Sequence, residues 1–129
     1  MNEPEWLLKG AIVTVHEVLI AEHGGTGGTR DDALLESALD RARSRWGYDP
    51  GASIFDLAAA YAFGLARNHP FVDGNKRTAL TAVAMFLSVN GYRFVPDKAE
   101  AVVVFVRLAA GELSEDELAR WIGANATEA

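Results

Sequence analysis

Between Glu5 and His23, Leu8, Ile12, Val15, Leu19 and Ile20 recur at helical spacing, which predicts an amphipathic helix with Gly10 as its one weak point. The glycine-rich run Gly24-Gly25-Thr26-Gly27-Gly28 ends that helix and predicts a flexible loop. Asp31 or Asp32 is placed to cap a second helix, whose apolar face is Leu34, Leu35, Ala38, Leu39 and Ala42. Gly47 to Gly51, with Pro50, predicts another loop, and Ser53 is the N-cap of a helix from Ile54 to about Asn68. That segment is apolar almost all round, through Leu57, Ala58, Ala60, Tyr61, Ala62, Phe63 and Leu65. Lys76 to Val89 is nearly as apolar. Helices without a polar face belong inside a core, so these two are expected side by side at the centre. Asn90-Gly91 closes the second of them, and Tyr92 to Val95 predicts a short extended piece. Ala99 to Ala109 is a further helix despite its valines, and Ser114-Glu115-Asp116-Glu117 is a capping box opening a last helix with Leu118, Trp121 and Ile122. The expected architecture is all-α: one compact bundle of about six helices over residues 1–129, joined by short loops.

Composition narrows this picture. A chain of 129 residues, half of them hydrophobic, can bury one core without disulfides. It has no cysteine, which removes thiolate nucleophiles and cysteine-based zinc sites and is compatible with a reducing compartment. A net charge of −6 argues against direct nucleic-acid binding. No apolar run approaches the ~18 residues that span a membrane, and the first residues lack a basic-then-apolar signal pattern. The expectation is a soluble cytoplasmic protein.

Chemistry is concentrated in His69-Pro70-Phe71-Val72-Asp73-Gly74-Asn75-Lys76-Arg77, between the two apolar segments. Pro70 stops one helix, and Gly74-Asn75 turns the chain into the next. Backbone N–H groups at such a turn lack intrahelical partners and, with the helix dipole, can hold an anion. Lys76 and Arg77 add positive charge there, and Arg77 can grip phosphate through two parallel hydrogen bonds. Asp73 supplies a hard oxygen ligand suited to Mg²⁺. His69 can accept a proton at neutral pH. Together these residues form a phosphate-and-metal site with its own base. Arg67, two residues before His69, either offsets a helix dipole or reaches a nucleotide phosphate. His16, among apolar residues, reads as a structural histidine, His23 as a helix C-terminal cation, and Phe71 as a buried anchor for the loop.

In these residues the chain resembles the Fic superfamily, whose motif runs His-Pro-Phe-x-Asp/Glu-Gly-Asn-Gly-x-x-Arg. It is most similar to the Doc (death on curing) branch, toxins of toxin–antitoxin pairs, in having Lys-Arg after the Asn. The likeness continues in His16-Glu17, Gly24-Gly25, Arg30-Asp31 and Leu34-Leu35-Glu36-Ser37-Ala38-Leu39, then in Asn90-Gly91-Tyr92 and Ala109-Ala110-Gly111-Glu112-Leu113. The resemblance implies roles. His69 would deprotonate a hydroxyl of a target protein, Asp73 would hold Mg²⁺, and Gly74, Asn75, Arg77 and the first amides of the following helix would bind phosphate. It also implies that the Gly24–Thr29 region is a flap that pairs with the target backbone.

Lys76 departs from the nucleotidyl-transferring pattern, which has Gly there. In Doc-like members this departure goes with a reversed ATP, whose γ-phosphate faces the base, and the associated target is the translation machinery, specifically elongation factor Tu. Leu80 stands where many Fic proteins carry an Arg for the terminal phosphate. No Ser/Thr-x-x-x-Glu-Gly/Asn inhibitory segment is present, so restraint is expected from a separate, Phd-like antitoxin, with a tail ordering on an apolar groove near the N-terminal helix and Trp121. The leading reading is therefore a Doc-like kinase toxin using ATP and Mg²⁺. A nucleotidyltransferase transferring AMP or UMP is the runner-up, and an inactive binding module of the same fold is the third.

Overall fold

The computed structural model describes residues 1–129. Six helices run in order: α1 (Lys9–His23), α2 (Asp32–Tyr48), α3 (Ile54–Asn68), α4 (Asn75–Val89), α5 (Lys98–Ala109) and α6 (Glu115–Ala124). Two short strands, β1 (Tyr92–Phe94) and β2 (Ala126–Glu128), pair antiparallel, with Tyr92 opposite Glu128 and Phe94 opposite Ala126. The fold is all-α apart from this pair, as the periodicity implies.

Helix α3 is the axis of the bundle and packs against α2, α4, α5 and α6. Its residues Leu57, Ala58, Ala59, Ala60, Ala62 and Leu65 are fully buried, as are Ala79, Ala82, Val83, Phe86 and Leu87 of α4. Gly64 allows α2 to approach closely, because a Cβ there would stand 2.9 Å from the Ala38 backbone. Gly64→Ala is therefore expected to lower stability by about 1–3 kcal/mol, as for other overpacked cores. A denaturant midpoint equal to that of the wild type would contradict this.

Four helix starts are fixed by their own caps. Ser53 and Asp56 bond reciprocally at α3, and Ser114 and Glu117 do so at α6. Asp31 accepts from the Leu34 amide at α2, and Asp97 from the Glu100 amide at α5. The capping bond from the Ser114 amide holds the Glu117 carboxyl below the usual carboxylate range. Glu115 also ties α6 to α2, accepting from Arg45 Nη1 at 2.9 Å and from Arg41 Nη2 at 2.7 Å.

Three places differ from the sequence expectation. Helix α2 continues through Gly47 and Tyr48, the first two residues of the expected loop, and is capped by Asp49, whose amide bonds to the Arg45 carbonyl. Residues 5–8 lie outside any helix, and α1 begins only at Lys9, after an extended Leu8. This segment finds tertiary partners that a helix could not use. The Glu5 backbone bonds in both directions to the Asn90 side chain, at 2.8 and 3.0 Å. The Leu7 amide donates to the Tyr61 hydroxyl at 3.1 Å, and Trp6 stacks on Phe86. The third difference is β2, whose residues have no strand pattern of their own. They are held by pairing with β1 and by the Ala129 amide on the Gly91 carbonyl at 2.9 Å.

Candidate active site

The nine-residue motif joins the C-terminus of α3 to the N-terminus of α4, so it sits on the two most buried helices. His69 is the C-cap of α3 with φ 53° and ψ 54°, and is the only non-glycine residue with positive φ. A residue bearing a Cβ incurs a cost on the order of 1–2 kcal/mol in this region. The turn therefore has to be held by its surroundings.

Three contacts brace the loop that follows it. Phe71 is buried and stacks face to face on the buried His16, with ring centroids 3.8 Å apart and planes 7° from parallel. Nε2–H of His16 donates to the Asp73 carbonyl at 2.8 Å. Asn75, also buried, pairs its amide with Phe71 in both directions, accepting from Phe71 N–H at 2.9 Å and donating to Phe71 C=O at 3.0 Å. His16 and Phe71 thus have the structural roles their sequence context suggests, and Asn75 latches the loop as well as lining the cleft.

Gly74, at φ 76°, precedes α4, which has no side-chain cap. The first helical bond is Thr78 N–H to the Gly74 carbonyl at 3.0 Å. The amides of Asn75, Lys76 and Arg77 come before it and have no intrahelical acceptor. They border a cleft of about 330 Å³ lined on this side by His69, Asp73, Gly74, Asn75, Lys76, Arg77 and Leu80. The opposite wall is α5, through Val102, Phe105, Val106 and Ala109. Imidazole, carboxylate, amides and cations therefore share one cleft with an apolar wall, an arrangement suited to a nucleotide. The α5 wall carries no polar motif, and the sequence reading missed it.

Arg67 is not part of this lining. Its guanidinium lies over the Phe63 ring, 5.5 Å from the centroid, and beside Gly111. Two residues apart on a helix means different faces, so the turn that aims His69 into the cleft leaves Arg67 outside it. Trp121 is likewise engaged: its indole N–H donates to Glu100, and its ring packs edge-on against Phe94 and Phe105. Three valines of α5, Val102, Val103 and Val106, are exposed, as are Leu8 before α1 and Val18 on it.

The glycine loop runs beside the motif. Thr29 forms a single antiparallel bridge with Phe71, and Val72 N–H donates to the Gly28 carbonyl at 3.0 Å. The Asp73 carboxylate accepts from the Gly74 amide at 2.9 Å and from the Thr26 amide at 3.3 Å. No group of three or more potential protein metal ligands is present. Mg²⁺ does not require one, since it is commonly held by one or two carboxylates together with substrate phosphates and water. An exposed carboxylate beside a helix terminus with free amides fits that ion.

No helix is long and apolar enough to cross a membrane. The model of the Fic/DOC family matches residues 6–87, a span covering α1 to most of α4 and including the whole motif. A protein named Protein kinase doc, of Escherichia phage P1, is 34% identical over 108 residues, which is 84% of this chain and 85% of the relative. A protein named Toxin Doc, of Mycolicibacterium smegmatis, is 44% identical over 75 residues, 57% of this chain and 58% of the relative.

Proposed function

This chain belongs to the Fic/DOC family, and from that premise we propose that it is a Doc-type toxin: a protein kinase that moves the γ-phosphoryl group of ATP to a Ser or Thr hydroxyl of a target protein. The observation that carries this reading is Lys76. It lies in the same cleft as His69, at the uncapped start of α4, where the nucleotidyl-transferring pattern has glycine.

The geometry supports an in-line displacement. The imidazole of His69 takes the proton of the target hydroxyl as its oxygen attacks the γ-phosphorus. The bond from that phosphorus to the β–γ bridging oxygen breaks, and ADP leaves. The amides of Asn75, Lys76 and Arg77 and the two cations stabilise the charge on the transferred group without having to reorganise. Asp73 would hold Mg²⁺, which when bound would neutralise charge on the phosphate oxygens. The α5 wall of Val102, Phe105, Val106 and Ala109 offers the nucleoside an apolar surface.

The target is a protein of the translation machinery, of the elongation factor Tu class, and the protein acts in the cytoplasm as a single domain. Restraint comes from a separate Phd-like antitoxin. The exposed Leu8 and Val18 at the N-terminal helix, with Val103 of α5, supply apolar area of the kind an ordering segment needs to offset its lost entropy. Intact-mass measurement of elongation factor Tu after incubation with this protein, ATP and Mg²⁺ tests the proposal. A single phosphoryl adduct is expected. An adenylyl adduct would replace the kinase reading with nucleotidyl transfer.

A further inference from the structure

Arg30, where the glycine loop meets α2, donates to three successive carbonyls, from the last residue of α3 to the second of the motif. Its guanidinium reaches Asn68 C=O through Nη2 at 3.0 Å and His69 C=O through Nε at 2.8 Å. Its backbone N–H reaches Pro70 C=O at 2.7 Å. The first two carbonyls belong to the peptide planes on either side of the His69 Cα. The relative orientation of those planes is the φ and ψ of His69, and His69 is the one non-glycine residue in the left-handed region. A guanidinium is a rigid planar fork, so two of its N–H vectors fix two peptide planes at once. The carbonyls at the end of α3 have no helical donors, so this contact satisfies them as it sets the turn.

We propose that Arg30 is a positioning residue for the base: it holds the His69 backbone in the conformation that brings the imidazole to the cleft with Asp73 and Lys76. The same junction continues into the loop whose Gly28 carbonyl accepts from Val72, so the clasp also joins the flap to the base. This inference rests on the kinase reading for its catalytic consequence and on the backbone geometry alone for its structural one. A helix cap without a positioning role would change stability only.

The test uses the full chain with Arg30→Ala and Arg30→Lys, and reads kcat, the KM for ATP, and the ¹³Cα and ¹³Cβ shifts of His69 by NMR. In Arg30→Ala, kcat is expected to fall about ten- to hundredfold, the scale of a small misplacement of a reacting group, with KM within about twofold. The His69 shifts should leave their left-handed values. Arg30→Lys should fall between, since one ammonium reaches one carbonyl. Wild-type kcat, or unchanged His69 shifts alongside a reduced kcat, overturns the proposal. If Arg30→Ala does not fold, Arg30→Lys decides by the same two readouts. If the wild-type protein transfers nothing, the kinase reading falls, and the His69 shifts alone decide whether Arg30 positions it.

Discussion

His69→Ala is expected to reduce phosphoryl transfer by about 10²–10⁴-fold, the usual contribution of a positioned general base. The fold should survive, because the side chain is exposed and the core beneath it consists of other residues. Alanine keeps a Cβ, so the left-handed backbone is no more strained than before. The loss should therefore appear in kcat, with ATP binding by calorimetry almost unchanged. Asp73→Asn is the informative companion. The amide keeps the shape of the carboxylate but loses its charge, so activity should fall and recover partly as Mg²⁺ is raised. Transfer rates for both variants equal to wild type would remove these residues from the mechanism.

Lys76→Gly is expected to weaken γ-phosphoryl transfer by about 10- to 100-fold, corresponding to the loss of one charge-assisted hydrogen bond. In the proposed pose, lysine would block close approach of an α-phosphate to the backbone and place its charge further out. Glycine opens that approach. Leu80 still offers no cation for the opposite nucleotide pose, so adenylyl transfer should be at most a minor product of the variant. ATP labelled separately at the α- and γ-phosphates measures both outcomes. Label from the α position entering the target with the wild-type protein would reverse the assignment of the reacting phosphate.

Much of this was legible along the chain because the signals were local. Apolar periodicity and caps place both ends of α3, α4 and α5 and the starts of α2 and α6 within a residue or so, though α2 runs on through Gly47 and Tyr48, and the motif holds its imidazole, carboxylate and cations within nine positions. Long-range features were not legible. Residues 5–8 carry helical spacing, but bonds to Asn90 and Tyr61 hold them outside the helix, a tertiary override of local pattern. The β2 strand exists through its partner. Arg67 was read by its closeness in sequence to His69, whereas a helix sends neighbours two apart in different directions. The clasp of Arg30 on His69 joins residues 39 positions apart and leaves no local mark.

The alanines of the central helices have a further consequence. Ala58, Ala59, Ala60, Ala62 and Ala66 of α3, with Ala79 and Ala82 of α4, are buried and have no side-chain torsions to freeze. Ordering them costs essentially no rotamer entropy. Nor can they repack into an alternative set of rotamers. The spacing between the His69 imidazole at the end of one helix and the free amides at the start of the other is thus set largely by backbone against backbone. Thermal disorder should enter this cleft first through the glycine loop and the valine wall, while the register of its two reacting ends persists until the bundle itself melts.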